Sequence, residues 1–545
     1  MFRRTALASA VGLATLVLAA CGGGGGDDGG GPAASVGDTV ALTASGRLVS
    51  FNRAAPSNQV GSVAIAGLAQ GETLLGIDYR PADGALYALG STATVYQLDA
   101  STGVATRKST LRAASGDDNP FSTLVGTSFG FDFNPAADRL RVVSNTGQNL
   151  RINVDTGDTI TDGNIAAGPA VTGSAYTNSF AGTSSTQLFS LDAAAGRLYL
   201  QDPPNNGVLN AGVALGVTGD AGNGFDIDAR SNTGYAALQV GGESVLYAIN
   251  LAATANAATR IGAIAGGEAL RGIALAATAA PTALALTSDN RLLGFNPRAP
   301  NTLTSNTAVT GLGAGELLVG IDVRPRDGLL WGLTNTARLV TIDSSGAATL
   351  RATLAPDPTD TTAPYSGLSG TVTAVDFNPA ADRLRVITSD GQNLRIVVET
   401  AAANGATVTA GHTTTDGVLN RSGAAPSVVA SAYTNSFAGT TSTALYNLEQ
   451  NSDQLTLQNP PNNGTLTNVG PLGVDVTGPS GFDIGGGGNG LALAALRAGS
   501  TGPFSLYSVS LTTGAVTLYG GATAALSQIG GGGGPVNLVD LAIRF

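Results

Sequence analysis

The chain has 545 residues, 43% of them hydrophobic and 12% charged, with a formal net charge of -11. That acidity argues against nucleic acid and against charge-driven adhesion to anionic headgroups. Cys21 is the only cysteine, so no intramolecular disulfide is possible and stability has to come from buried area, for which the length is ample.

The N-terminus reads as a targeting device. Arg3 and Arg4 form a charged start, Ala6 to Ala20 form an apolar run too short to span a bilayer comfortably, and Leu18-Ala19-Ala20-Cys21 follows. This resembles a bacterial lipoprotein signal with its lipobox. The resemblance implies removal of residues 1–20, diacylation of the Cys21 thiol and acylation of the new amino terminus. Several chains on one residue anchor stably, since each buried methylene contributes about 0.8 kcal/mol. Gly22 rather than Asp follows the cysteine, which by the same resemblance points to the outer membrane. The expected location is therefore the bacterial cell envelope, with contact to the membrane through the lipid. Residues 21–36 include GGGGGDDGGGPAAS, which has no apolar face to bury and is expected to be a flexible tether.

The rest of the chain says the same thing twice. Phe131 to Asn153 and Val375 to Val397 agree at 17 of 23 positions after a shift of 244, and SAYTNSFAGT at 174–183 recurs at 431–440 after a shift of 257. The second copy thus carries about 13 extra residues, expected within Ala401 to Thr414. Two homologous units follow, 37–278 and 279–545.

Each unit has a shorter period. Strand openings recur at Gly76-Ile77-Asp78, Gly130-Phe131-Asp132, Ala175-Tyr176, Gly224-Phe225-Asp226 and Gly272-Ile273, spaced by 54, 45, 49 and 48 residues. The stretch GIDYR, PADG, ALYALG, TVYQLD, ASTG, VATRKSTL gives four strands between turn signals, and GFDIDA, TGYAALQ, SVLYAINL, TRIGAIAG repeats that grammar. No sustained helical period occurs after the signal. Four-stranded units of this size predict an all-β protein of two tandem β-propellers, each with about five blades. The fifth blade is expected to be split between the ends of each copy: LRGIALA at 270–276 joins strands at 39–66, and LVDLAIRF at the C-terminus joins 283–296. The short join between the copies leaves one ten-bladed ring as the alternative.

The blocks DFNPAADRLRVV, GQNLR, AYTNS and PPNNG resemble the bacterial domain of unknown function numbered 4394, a family grouped with β-propellers. The match covers both copies, and it implies the fold and an exported setting. It brings no catalytic residues to carry over.

Chemistry is sparse. Gly126-Thr127-Ser128-Phe129-Gly130 matches GxSxG, but His412, the sole histidine, lies in the other copy, so no catalytic set is assigned. Asp220, Asn223, Asp226 and Asp228 offer oxygen ligands suited to calcium, yet the second copy lacks most of them, and turn formation explains the cluster. No metal or cofactor is assigned: His412 has no partner ligands for zinc, and calcium is the one ion kept as possible. Arg141 and Arg151, with Arg385 and Arg395 in the second copy, form either an anion site or a network with Asp132 or Asp138 that bridges blades. The ring axis is the remaining place for a ligand, where Asp78, Asp132, Asn134, Tyr176, Asn178 and Asp226 are expected to converge from separate blades, or else to cap strand ends. Their counterparts are Asp322, Asp376, Asn378, Tyr433, Asn435 and Asp483. Two functions stay open: a non-catalytic binding or scaffolding lipoprotein with an envelope protein or small polar ligand as partner, or a propeller enzyme of lyase or lactonase type acting at the channel on a sugar or small ester.

Overall fold

The computed structural model describes residues 33–545 except 221–222, 404–405, 424, 498, 500–501, 522 and 533–536. Cys21 and the signal lie outside the described residues. Blade 2 of the first ring shows how sequence becomes structure. Its strands Leu74–Tyr79, Leu86–Gly90, Thr94–Leu98 and Ala105–Thr110 pair in that order as an antiparallel sheet. The turns between them are fixed locally: Asp83 Oδ1 accepts the Ala85 N–H, Asp99 Oδ1 accepts from Ser101 and Thr102, and Gly84 and Gly103 take the positive φ that closes each turn. Burial grades across the sheet. The innermost strand is almost wholly covered, whereas the outermost, ATRKST, is mostly exposed. Inner strands therefore need no polar alternation.

Two rings close separately. In the first, Leu270–Leu275 pairs with Thr39–Thr43, which continues through Arg47–Asn52 to Ala55–Ala64. In the second, Leu538–Arg544 pairs with Thr282–Thr287 in the same way. The innermost strands Leu74–Tyr79, Phe129–Asn134, Gly173–Tyr176, Asn223–Ile227 and Leu270–Leu275, which open blades 2, 3, 4, 5 and 1 in turn, pack in a closed cycle of five. Leu318–Val323, Val372–Asn378, Val428–Tyr433, Gly481–Ile484 and Leu538–Arg544 form the second cycle. The ten-bladed alternative fails because Thr39–Thr43 already occupies the edge of Leu270–Leu275 that Thr282–Thr287 would need.

The extra residues of the second copy are divided. Asp162 and Asp416 differ by 254, so ten lie before Asp416 and three more between there and Ser431. The first group includes a short hairpin that pairs Ala401–Ala403 with Ala406–Val408.

Most blade interfaces are apolar, but one is not. Between blades 2 and 3 of the first ring a cluster of twelve buried residues includes Tyr87, Phe131 and Phe133, with Tyr87 edge-on to Phe133 at 5.5 Å. Between blades 3 and 4 the corresponding cluster has three, Val143, Ile165 and Val171. A buried arginine network fills that gap. The rings meet through Phe180, whose ring lies 5.0 Å from Phe545, and through Asn489, whose amide donates to the Ala229 and Arg230 carbonyls.

Candidate functional site

The hub of each ring is acidic. One oxygen from each of Asp78, Asp132 and Asp226 lies within 4.8 Å of the others, and Asp322, Asp376 and Asp483 repeat the cluster. The two remaining blades supply small residues at this level: Ala175 and Ala274 in the first ring, Ala432 and Ala542 in the second, all fully buried. The level two residues earlier along each inner strand is glycine throughout the first ring, at positions 76, 130, 173, 224 and 272. A Cβ on Gly130 would stand 2.5 Å from the Ser174 nitrogen, and one on Gly224 would stand 2.3 Å from the Ile273 nitrogen. Five strands converge too tightly there for side chains. The second ring keeps Gly320 and Gly481 but has Ala374, Ala430 and Asp540 at the other three positions.

Each hub carboxylate accepts a backbone N–H from the next inner strand. Phe133 donates to Asp78 Oδ2 at 2.8 Å, Tyr176 to Asp132 Oδ1 at 3.1 Å, and Leu275 to Asp226 Oδ2 at 2.7 Å. Phe377, Tyr433 and Ile543 do the same for Asp322, Asp376 and Asp483. Burial, and then repulsion from the neighbouring carboxylates, pushes Asp78, Asp132, Asp322 and Asp376 well above the ordinary range. Asp226 and Asp483 are pushed up to about 6, burial again leading, against two N–H donors each.

The other expected axis residues lie elsewhere. Asn134 Oδ1 accepts from Ala136 and Ala137, and Asn378 repeats this with Ala380 and Ala381, so both cap turns at the strand ends. Asn178 and Asn435 sit at positive φ and donate to the Ser185 and Ser442 carbonyls. Tyr176 and Tyr433 offer the hub only their backbone N–H. Their hydroxyls accept from Arg141 Nε at 3.2 Å and Arg385 Nε at 3.1 Å.

Those arginines form the network of blades 3 and 4. Arg141 is 1% exposed and donates to Asn149 Oδ1, Asp162 Oδ2 and Asn205 Oδ1, each at 2.7 Å. Arg151 closes a two-point bond on Asp162 at 2.6 and 2.8 Å. Arg385, Arg395, Asp416, Asn393 and Asn462 reproduce every part. The acid is Asp162, not Asp132 or Asp138: Asp132 belongs to the hub, and Asp138 is held by Arg80 at 2.6 and 2.8 Å. Asn205 comes from PPNNG, and Asp162 from a TDG block shared by both copies, the signals that would have found them.

Among the dismissed motifs, 126–130 runs straight into the inner strand Phe129–Asn134, so it forms no strand-to-helix elbow. His412 opens an outer strand, His412–Thr415. The Asp220 cluster disperses, since Asp226 joins the hub and Asp228 pairs with Arg53 at 2.8 Å.

The mouth of the second channel, where the inner strands begin, is a cavity of about 390 Å³. All five blades contribute, with Leu317, Val319, Val372, Val429 and Val539 among the lining residues and Asn335 and Gln450 as polar members. It lies on the axis where a ligand is expected, but none of its lining residues is among the candidates read from the sequence.

Closed cycles of five blades, four of them four-stranded and one five-stranded, each cycle around three inward carboxylates, define a tandem β-propeller. The chain belongs to the family described as Domain of unknown function (DUF4394), whose model matches residues 47–274 and 291–530. Among solved structures it is similar to the Cps50 (Swd1) β-propeller domain of Myceliophteria thermophila, with 14% identity over 72% of this chain and 99% of that one and a TM-score of 0.24. It is also similar to a protein from Lactobacillus plantarum, with 13% identity over 66% and 96% and a TM-score of 0.25. U3-55K gives 12% over 59% and 90%, with a TM-score of 0.24. No curated protein matches.

Proposed function

We propose that the chain is a lipid-anchored protein of the bacterial cell envelope with a non-catalytic binding role, and that the mouth of the second channel is where it binds. The observation that carries this reading is the 390 Å³ cavity, which is of small-molecule size and is assembled by all five blades. Its apolar wall turns the expectation of a small polar ligand toward one with an apolar body and a polar end. The enzyme reading is less favoured by position, because the carboxylates it would use are at most 4% exposed.

The test is a titration of the full chain in detergent with an apolar fluorescent dye, anilinonaphthalene sulfonate. Saturable binding of one equivalent is expected, weakened at least tenfold by Val539→Arg. That change installs the residue the first ring carries at the matching position, Arg271, so the fold tolerates it. Binding that does not saturate, or that Val539→Arg leaves unchanged, rejects the mouth as the site. Acylation is tested separately, by mass spectrometry of the Cys21 peptide and by loss of membrane association in Cys21→Ser.

A further inference from the structure

The hub carboxylates are a costly way to accept three backbone N–H bonds. A neutral asparagine accepts the same bond without charge, whereas three carboxylates within 4.8 Å repel each other in a site closed to water. Both rings nevertheless keep three Asp and two Ala in the same blade order, while the neighbouring level has diverged from Gly272 to Asp540. Asp132 belongs to this cluster and is 1% exposed, and its Oδ2 has no hydrogen-bond partner among the described residues. Beside the cluster is a cavity of about 20 Å³ lined by both Asp78 and Asp226. That is room for a single water-sized particle.

The geometry admits a cation, and the tolerance of the ion for an irregular shell favours one kind. Three oxygens no more than 4.8 Å apart share a centre that is at most about 2.8 Å from each. Calcium takes carboxylate oxygens at about 2.3–2.6 Å and tolerates irregular shells, while magnesium demands about 2.0–2.1 Å and near-ideal octahedral order. We propose that each hub binds one calcium ion, held by Asp78, Asp132 and Asp226 in the first ring and by Asp322, Asp376 and Asp483 in the second. The ion ties blades 2, 3 and 5 to one point. The N–H bonds that the same carboxylates accept from Phe133, Tyr176 and Leu275 extend the tie to blades 4 and 1, so all five blades are linked through one centre. This site is separate from the mouth cavity, and it stands or falls independently of the proposed binding role.

The test uses the full chain purified in detergent. Elemental mass spectrometry is expected to count two calcium ions per chain. Treatment with EDTA is expected to lower the melting temperature by several degrees, and calcium, but not an equal concentration of magnesium, restores it. Asp132→Asn should retain one ion, and the double variant Asp132→Asn with Asp376→Asn none. Should the double variant fail to fold, the wild-type comparison decides alone: no bound calcium together with identical melting in EDTA and in calcium chloride overturns the proposal. Two ions retained by a folded double variant also overturn it. A count of one in the wild type overturns it for whichever hub's Asp→Asn change leaves that count unaltered.

Discussion

Arg385→Met tests whether the arginines are structural or wait for an anion. In the wild type Arg385 donates to Tyr433 OH at 3.1 Å, Asn393 Oδ1 at 2.8 Å, Asp416 Oδ2 at 2.6 Å and Asn462 Oδ1 at 2.8 Å, and it is 2% exposed. Removing one member of a buried ion pair ordinarily costs about 3–5 kcal/mol. Here Asp416 keeps two bonds from Arg395, at 2.6 and 2.9 Å, so its charge is not stranded. The loss falls instead on three neutral oxygens, each deprived of a buried donor at about 1 kcal/mol or more, which places the expected destabilisation near 3 kcal/mol. Trp331, the only tryptophan, is buried in the second ring with its ring 6.1 Å from Phe377 of the blade that carries Arg385. Urea unfolding followed by its fluorescence therefore reads the affected ring directly. Arg385→Lys should lose more than half as much, because an ammonium cannot reach four acceptors spread around a planar fork. A loss below about 1 kcal/mol at unchanged denaturant dependence would refute the network as a stabiliser and return the arginine to the anion-site reading.

Three further outcomes follow from the same geometry. Deleting 538–545 removes the innermost strand of blade 1 of the second ring, so Trp331 emission should shift to the solvent-exposed position while circular dichroism still records the first ring melting. Gly224→Ala places a methyl 2.3 Å from the Ile273 nitrogen, where backbone has to move; a loss of about 1–3 kcal/mol is expected by circular dichroism, and a neutral effect would disprove the tight hub. In metal-free protein the raised hub carboxyls bind more protons folded than unfolded, so stability should fall as pH rises from about 4 through about 6 and on toward 7. Asp226, pushed up to about 6 from an ordinary 3.8, contributes about 3 kcal/mol to that fall, measured as the urea midpoint against pH.

Blade number and closure were legible because they depend on local chemistry. Runs of β-branched and aromatic residues between Gly, Pro, Asp and Asn signals mark each strand, and the stray strands at the copy ends have only each other to complete a sheet. The hub was half legible. Asp78, Asp132 and Asp226 recur on the inner strands and do meet, but Asn134, the last residue of its strand, bonds to its own turn, and Asn178, two residues past the end of its strand, bonds to Ser185 and to Asn232. The arginine network was visible in its donors and not in its acceptors. Arg141 reaches Asp162, Tyr176 and Asn205 across 21, 35 and 64 residues, and nothing in the spacing tells an arginine which distant acid it will find.

What the two rings share, and what they do not, separates structure from specificity within one chain. The arginine network is reproduced atom for atom, and the three hub carboxylates keep their blades and their N–H donors. Both sets lie where a blade interface or a ring axis has to be held. The channel mouth is where the copies part: Val539 stands opposite Arg271, Val429 opposite Thr172, and Val372 opposite Ser128. Each of these changes turns a polar position in the first ring into an apolar one in the second, at residues that line a cavity and carry no blade contact of the arginine type. A ring free to vary there without losing its closure can present a different mouth on the same frame. Exchanging the three residues, Val372→Ser, Val429→Thr and Val539→Arg together, should therefore abolish dye binding while the ring still closes; because Val372 and Val429 are also buried members of blade-interface clusters, a loss of about 1–3 kcal/mol in the Trp331 unfolding transition is expected. A triple variant that unfolds instead would show that the mouth, too, belongs to the frame.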